Sequence, residues 1–343
     1  MPLGECHLMN NTALVITSIA SDTHAVLQRY AVESKAQGVS YIVIGDTKSP
    51  KTFDLKDCDF YSVSRQQNLP FTLTQKLPYK HYARKNLGYL IAIQGGAKII
   101  IETDDDNIPL ADFWASRTRT QTAHVLTNTG WTNVYKYFAE ATIWPRGFAL
   151  EELHASLPTL SEQTTIDCPV QQGLADDNPD VDAIYRLTQP LPIKFNKFDN
   201  VALGNQSICP FNSQNTTWFH EAFALLYLPS YCSFRMTDIW RSFIAQRILW
   251  SCGWTVLFHN STVRQERNDH SLMADFKDEI SGYTNNLAIM STLKDLELEP
   301  GAKAIPKNLL RCYEAMVENN FIGAEELPLV QAWLTDLDVL NHH

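Results

Sequence analysis

Thr103-Asp104-Asp105-Asp106-Asn107 places three carboxylates side by side, directly after the apolar run 98–102, KIIIE. Like charges crowded at a strand end repel one another unless a cation joins them. Their hard oxygens suit Mg²⁺ or Mn²⁺, and such an ion can clamp a diphosphate. Open α/β sheets bind ligands beyond the carboxyl ends of their strands, where this triplet falls. Read alone, it is a solvated acidic turn; its place after a strand and a basic helix favours the ligand reading. That basic helix opens with His81-Tyr82-Ala83-Arg84-Lys85-Asn86-Leu87-Gly88. Free N–H groups and the helix dipole at such an N-terminus suit a phosphate or a uracil carbonyl, so the basic pair Arg84 and Lys85 is a candidate ligand contact.

Other polar groups are less specific. Trp144-Pro145-Arg146-Gly147 breaks the chain around an arginine whose fork matches phosphate oxygens. The same residues equally make a structural corner with a buried Trp144. Asp177 and Asp180 flank Asn178-Pro179 and read first as a capped helix start. Asn212, Gln214 and Asn215 are a cluster of amides beside Trp218, a vocabulary shared by sugar-binding and ordinary loops. Neither a Walker loop, nor G-x-S-x-G, nor HExxH occurs.

The elements that would position these groups follow from pattern. Residues 13–19 and 40–46 are β-branched runs and predict strands, as do 59–63 and 98–102. Helical composition runs over 23–37, stopped by Gly38, and over 79–94, stopped by Gly95-Gly96. This alternation predicts an α/β fold with a mostly parallel central sheet. The middle is less regular: strands are expected over 123–128 and 131–137, loops over 151–205, and a helix over 218–228. A helix over 237–251, a strand at 254–260 and helices from Pro306 to Leu340, broken near Gly323, complete the reading.

Composition sets bounds. The chain has 343 residues, 45% apolar and 19% charged, enough for a full core. A net charge of −10 disfavours a nucleic-acid partner. No apolar run nears the ~20 residues that span a bilayer. The N-terminus lacks a basic n-region, so it reads as leading into a strand rather than as a signal peptide. Seven cysteines without a CxxC fit a reducing compartment; four N-x-S/T sequons at Asn10, Asn205, Asn215 and Asn260 keep a secreted reading open.

A helix with Lys85, Asn86 and Gly88 in an R-N-x-G-like spacing, then an apolar strand ending in D-x-D, resembles glycosyltransferases of the GT-A fold. The chain further resembles the STELLO family along almost its whole length. The segments that carry the likeness are 41–50, 82–107, 143–150, 171–188, 212–219, 233–250 and 261–279, with the tail LVQAWLTDLDVL. The resemblance implies a GT-A-like, Rossmann-like domain over 1–300, with its nucleotide part about 10–110 and its acceptor part about 111–300. A C-terminal helical appendage would follow over 301–343. It implies a metal-dependent transferase that moves sugar from a nucleotide-sugar donor, UDP-linked, to a glycan or other hydroxyl acceptor with inversion.

Within that pattern Asp104 and Asp106 would hold Mn²⁺ or Mg²⁺, with His270 as a further ligand and His259 behind it. Asp105, Arg84, Lys85, Asn86 and Arg146 would face the donor. Asp46 and Lys48, after the second strand, would meet the nucleoside. Asp238, opening a late helix, would be the catalytic base, and Arg241, one turn on, would orient it or touch phosphate. The alternatives are a nucleotide-sugar mutase and a non-catalytic partner of a polysaccharide synthase; a homo-oligomer is also open. Plant members carry a Golgi membrane anchor. This chain shows no transmembrane segment, so the expected location is cytoplasmic, the alternative being a lumenal domain without its anchor.

Overall fold

The computed structural model describes residues 9–204, 206–267 and 271–342. The first half builds a parallel unit. β1 (Thr12–Thr17), α1 (Ala25–Gln37) and β2 (Ser40–Ile44) form the first parallel crossover, and β3 (Asp59–Tyr61) pairs beyond β2. The αL conformation of Gly38, at φ 68°, ends α1 and lets the chain turn into β2. α2 (Val63–Gln67) and a 3₁₀ turn at 82–84 lead to α3 (Lys85–Gln94), which feeds β4 (Ile99–Thr103). The order β3-β2-β1-β4 is all parallel, so its carboxyl ends open on one side. Gly88 lets α3 press onto this sheet: a Cβ there would lie 2.5 Å from Val15 Cγ1.

β5 (Asn107–Pro109) leaves the acidic turn, followed by β6 (Thr120–Leu126), β7 (Gly130–Trp131), α4 (Tyr135–Phe138), β8 (Gln163–Asp167) and β9 (Val170–Asp176). Then come α5 (Ala183–Thr188), β10 (Val201–Leu203), β11 (Ser207–Ile208), β12 (Asn215–Phe219), α6 (Thr237–Ser251) and β13 (Val256–Gln265). β12 runs antiparallel between β4 and β9, and β13 lies parallel to β9. The sheet thus continues from β4 through β12, β9, β13, β10 and β6 to β8, while β7 and β11 form a separate pair.

Three expectations differ here. Residues 131–137 are not a strand: β7 ends at Trp131 and Tyr135–Phe138 turn as a short helix. Residues 218–228 are the end of β12 and a 3₁₀ stretch. Residues 151–205 include β9, a buried strand at the sheet centre, whose glutamines hydrogen-bond within the sheet and so break the apolar pattern.

α7 (Leu272–Lys294), α8 (Ile305–Glu318) and α9 (Leu327–Asn341) pack around α6 and α3, and the helices after residue 304 share the main core through Tyr313, Met316 and Trp333. Two buried carboxylates tie them to loops. Asp336 accepts from the Thr72 and Leu73 amides at 2.7 and 2.8 Å, and Glu326 accepts from those of Ser230 and Tyr231 at 2.8 and 2.7 Å. Among the described residues no helix is long and apolar enough to cross a membrane.

Candidate functional site

A cleft of about 500 Å³ opens beyond the carboxyl ends of β1, β2 and β4. Its walls are residues 17–19, 44–48 and 104–106, the segment 80–82 with Arg84, and Phe234, Arg235, Gln265 and Arg267. The three acids sit where β4 turns into β5. Thr103 Oγ1 and Asn107 Nδ2 hold that turn from beneath by donating to the Gln214 carbonyl, at 2.7 and 3.3 Å. Asp104 Oδ1 accepts from Tyr82 at 3.0 Å and from Lys85 at 3.1 Å. Asp105 accepts from the Ser18 hydroxyl, and Asp106 Oδ2 accepts from Gln265 Nε2 at 3.0 Å.

Asp106 Oδ1 is buried without a hydrogen-bond partner. Burial, then the neighbouring Asp104, pushes the Asp106 carboxyl up to about 7. Burial also raises Asp104, against the pull of Lys85. Such a turn is short of positive charge, and an orphaned carboxylate oxygen on a residue that lines a cleft fits a hard divalent cation. Among the described residues no three His, Cys, Asp or Glu side chains form a ready-made cage. His270 lies outside the described residues. His259 lies elsewhere, lining a separate polar pocket with Arg117 and Thr262.

The structure sorts the remaining candidates. Asp46 is on the cleft wall, but both its oxygens accept backbone amides, from Thr47 at 2.6 Å and His81 at 3.0 Å. It therefore joins the loop after β2 to the segment that leads into α3. Lys48 is exposed at the rim. Arg84 is buried against Gln66, Leu77 and Pro78, while its Nη2 has no partner.

Lys85 and Asn86 do not face the cleft as ligand contacts. The Lys85 ammonium is fully buried, spent on Tyr82, the Thr103 carbonyl and Asp104. Asn86 clamps both backbone groups of Leu228, at 2.8 and 2.9 Å.

Arg146 and Arg241 are likewise internal. Arg146 forks onto Asp180 at 2.8 and 2.9 Å and onto Asp238 at 3.1 and 3.0 Å. Arg241 forks onto Glu102 at 2.7 and 2.9 Å with both side chains buried. Arg241 Nε is buried without a partner, but both guanidinium groups are held on buried carboxylates away from the cleft wall, so neither is placed to meet a phosphate.

Asp238 is off the cleft wall too. Its carboxylate takes two Arg146 donors and both the amide and hydroxyl of Ser213. Burial alone would raise it, but Arg146 prevails and holds it below the usual carboxylate range. So weak a base, with its oxygens engaged, is poorly placed to take a proton at neutral pH. Asp180 belongs to the same cluster, Asp182 rather than Asn178 caps α5, and Trp144 donates to Asp182 at 2.6 Å. Asn212, Gln214 and Asn215 are buried and brace β12.

Sequence reasoning passed over five cleft residues. Tyr82 joins Asp104 to Ser213, and Gln265 steadies Asp106. Phe234 stands 53% exposed against His81 and Tyr82, an apolar face open to the cleft. Arg235 is paired with Glu279 at 2.8 Å. Arg267 is paired with Asp275, leaving its Nη1 buried and unpartnered. Arg235 and Arg267 sit in the stretches SFRMTDIW and RQERND, whose clustered charge was the available signal.

Comparison with known proteins adds the family context. The model of the STELLO glycosyltransferases matches residues 235–343. The chain is 30% identical to "Probable glycosyltransferase STELLO2" of Arabidopsis thaliana over 343 aligned residues, and 29% identical to "Probable glycosyltransferase STELLO1" of the same plant over 331. Each alignment covers 90% of this chain and 42% of the relative, so the chain spans about two fifths of the length of the curated relatives it matches. Among solved structures it resembles "Crystal Structure of a Mycobacterial Protein", at 10% identity and TM-score 0.43, covering 82% of this chain and 76% of that one. The likeness to STELLO glycosyltransferases is thus present along nearly the whole chain.

Proposed function

We propose that this chain is a metal-dependent glycosyltransferase whose nucleotide-sugar donor, UDP-linked, lies in the cleft between Asp46 and the acidic turn. The observation that carries this reading is the turn itself: three consecutive acids at the end of β4, one with a buried, unpartnered oxygen and a carboxyl lifted to about 7. Asp104 and Asp106 would hold Mn²⁺ or Mg²⁺, which supplies charge neutralisation for a departing diphosphate when bound. Arg267, with its free Nη1, takes the phosphate role first expected of Arg146 and Arg241. Asp46 shapes the nucleoside side, and Phe234 offers a platform for the apolar face of an acceptor sugar. The family likeness supports sugar transfer as the reaction class.

One observation favours retention over inversion. Among the described residues lining the cleft, the only carboxylates are Asp46 and the triplet. A front-face displacement needs no protein base, because the leaving diphosphate oxygen takes the acceptor hydroxyl's proton as the new glycosidic bond forms. Screening UDP-sugars for nucleotide release against hydroxyl acceptors, with the product anomer read by NMR, tests both parts. Transfer by the native chain that is lost in Asp106→Asn is the expected result. Release of an isomerised donor in place of a transferred sugar would replace this reading with the mutase.

A further inference from the structure

Tyr82 carries an arrangement that the donor site alone does not require. Its hydroxyl lies 2.8 Å from Lys85 Nζ, 3.0 Å from Asp104 Oδ1 and 2.5 Å from Ser213 Oγ. Ser213 Oγ in turn lies 3.1 Å from Asp238 Oδ2. Proton counting restricts how these bonds are made. Lys85 has only donors, so Tyr82 accepts from it. Tyr82 and Ser213 each have one hydroxyl proton to give.

The two protons make at most two of the three contacts, and two orderings keep the 2.5 Å Tyr82–Ser213 bond. In one, Ser213 donates to Tyr82 and Tyr82 donates to Asp104. In the other, Tyr82 donates to Ser213 and Ser213 donates to Asp238. The tyrosine proton thus serves the acidic turn or, through serine, the Asp238–Arg146 cluster. That cluster reaches the opposite cleft wall, because Arg146 Nη1 also donates to the Arg235 carbonyl. Both Asp104 donors fall on Oδ1, which leaves Oδ2 for the cleft.

We propose that Tyr82 is the positioning residue of the acidic turn: it fixes Asp104 with one oxygen toward the cleft, and through Ser213 it links the charge of the turn to Asp238. This rests on the metal-site reading above. Lys85 and Asp238 are then parts of one buried frame rather than substrate contacts.

The test is Mn²⁺ binding to the full chain without nucleotide, followed by electron paramagnetic resonance, for the native protein, Tyr82→Phe, Ser213→Ala and the double variant. Far-UV circular dichroism and thermal melting establish that each folds. Loss of a hydrogen bond behind a metal ligand weakens binding by roughly 10–100-fold, which is the result expected for Tyr82→Phe, together with an altered Mn²⁺ spectrum. Ser213→Ala should weaken binding less, and the double variant should be no worse than Tyr82→Phe, because both act on one chain. Native-like Mn²⁺ affinity and spectrum in a folded Tyr82→Phe overturns the positioning role while leaving the metal site standing. Losses that multiply in the double variant overturn the link to Asp238. If the native chain binds no Mn²⁺, the metal-site reading and this inference fall together.

Discussion

Replacing Arg241 by methionine separates a structural arginine from a phosphate-binding one. Arg241 and Glu102 are 1% and 0% exposed and form a two-pronged pair at 2.7 and 2.9 Å. Glu102 also accepts from Trp218 Nε1 at 2.8 Å and from the Tyr89 hydroxyl. Burial opposes the charge on Arg241, and Glu102 more than offsets it. Methionine fills much of the volume but strands a buried carboxylate with two neutral donors, a change that typically costs about 3–5 kcal/mol. An unfolding entropy of about 2.1 cal mol⁻¹ K⁻¹ per residue, scaled to the chain's 343 residues, turns ~4 kcal/mol into a Tm lower by about 5–6 °C. Urea and thermal denaturation of Arg241→Met should show that loss, and adding Glu102→Gln should recover most of it. Nucleotide affinity of the folded fraction should stay within a few-fold of native. Unchanged stability with nucleotide binding abolished would refute the placement of Arg241 inside the core and return it to the donor site.

The metal-free protein should be strained by its own acidic turn. Burial, then the neighbouring Asp104, pushes the Asp106 carboxyl from 3.8 up to about 7. The native state therefore holds a proton that the unfolded chain has released, and stability falls as pH rises from about 4 to 7. A shift of that size has a ceiling of ~4 kcal/mol, which partial solvation reduces to about 2 kcal/mol. In EDTA, Asp106→Asn should therefore be more stable than native at pH 8 by about that amount, with no gain at pH 4. Urea titrations at the two pH values check this. Arg267→Gln should weaken UDP binding by about tenfold, the value of one charged phosphate contact, and leave free uridine binding unchanged by calorimetry. Gly147→Ala should destabilise by several kcal/mol in chemical denaturation: the residue has φ 86°, and a Cβ would lie 2.3 Å from Ile239 Cγ2.

How much was legible depended on whether a residue's task is local. β1, β2 and β4 are apolar runs bounded by turn residues, and α1 ends at a glycine that must turn left-handed, so local pattern suffices for them. β9 was not legible, because Gln171 and Gln172 are buried through hydrogen bonds to the Thr118 and Asn215 carbonyls that only the assembled fold supplies. α7, longer than its neighbours, escaped because its apolar positions are diluted by polar ones facing Arg235 and Trp240. The acidic triplet announces itself by repulsion, and it does line the cleft. Arg146, Arg241 and Lys85 read as ligand contacts, and Asp238 as the catalytic base, because sequence shows a charge and conceals its partner. Glu102, Asp180 and Ser213 lie far along the chain, and only the fold brings them together.

The most direct test of the donor site is calorimetric titration of the native chain and Asp106→Asn with UDP, GDP and CDP, in Mn²⁺ and in EDTA. The result expected is binding of UDP that requires Mn²⁺ and disappears in the variant. No nucleotide bound by the native chain under any metal condition, or equal binding by Asp106→Asn, would contradict the assignment of the acidic turn as a metal–diphosphate site.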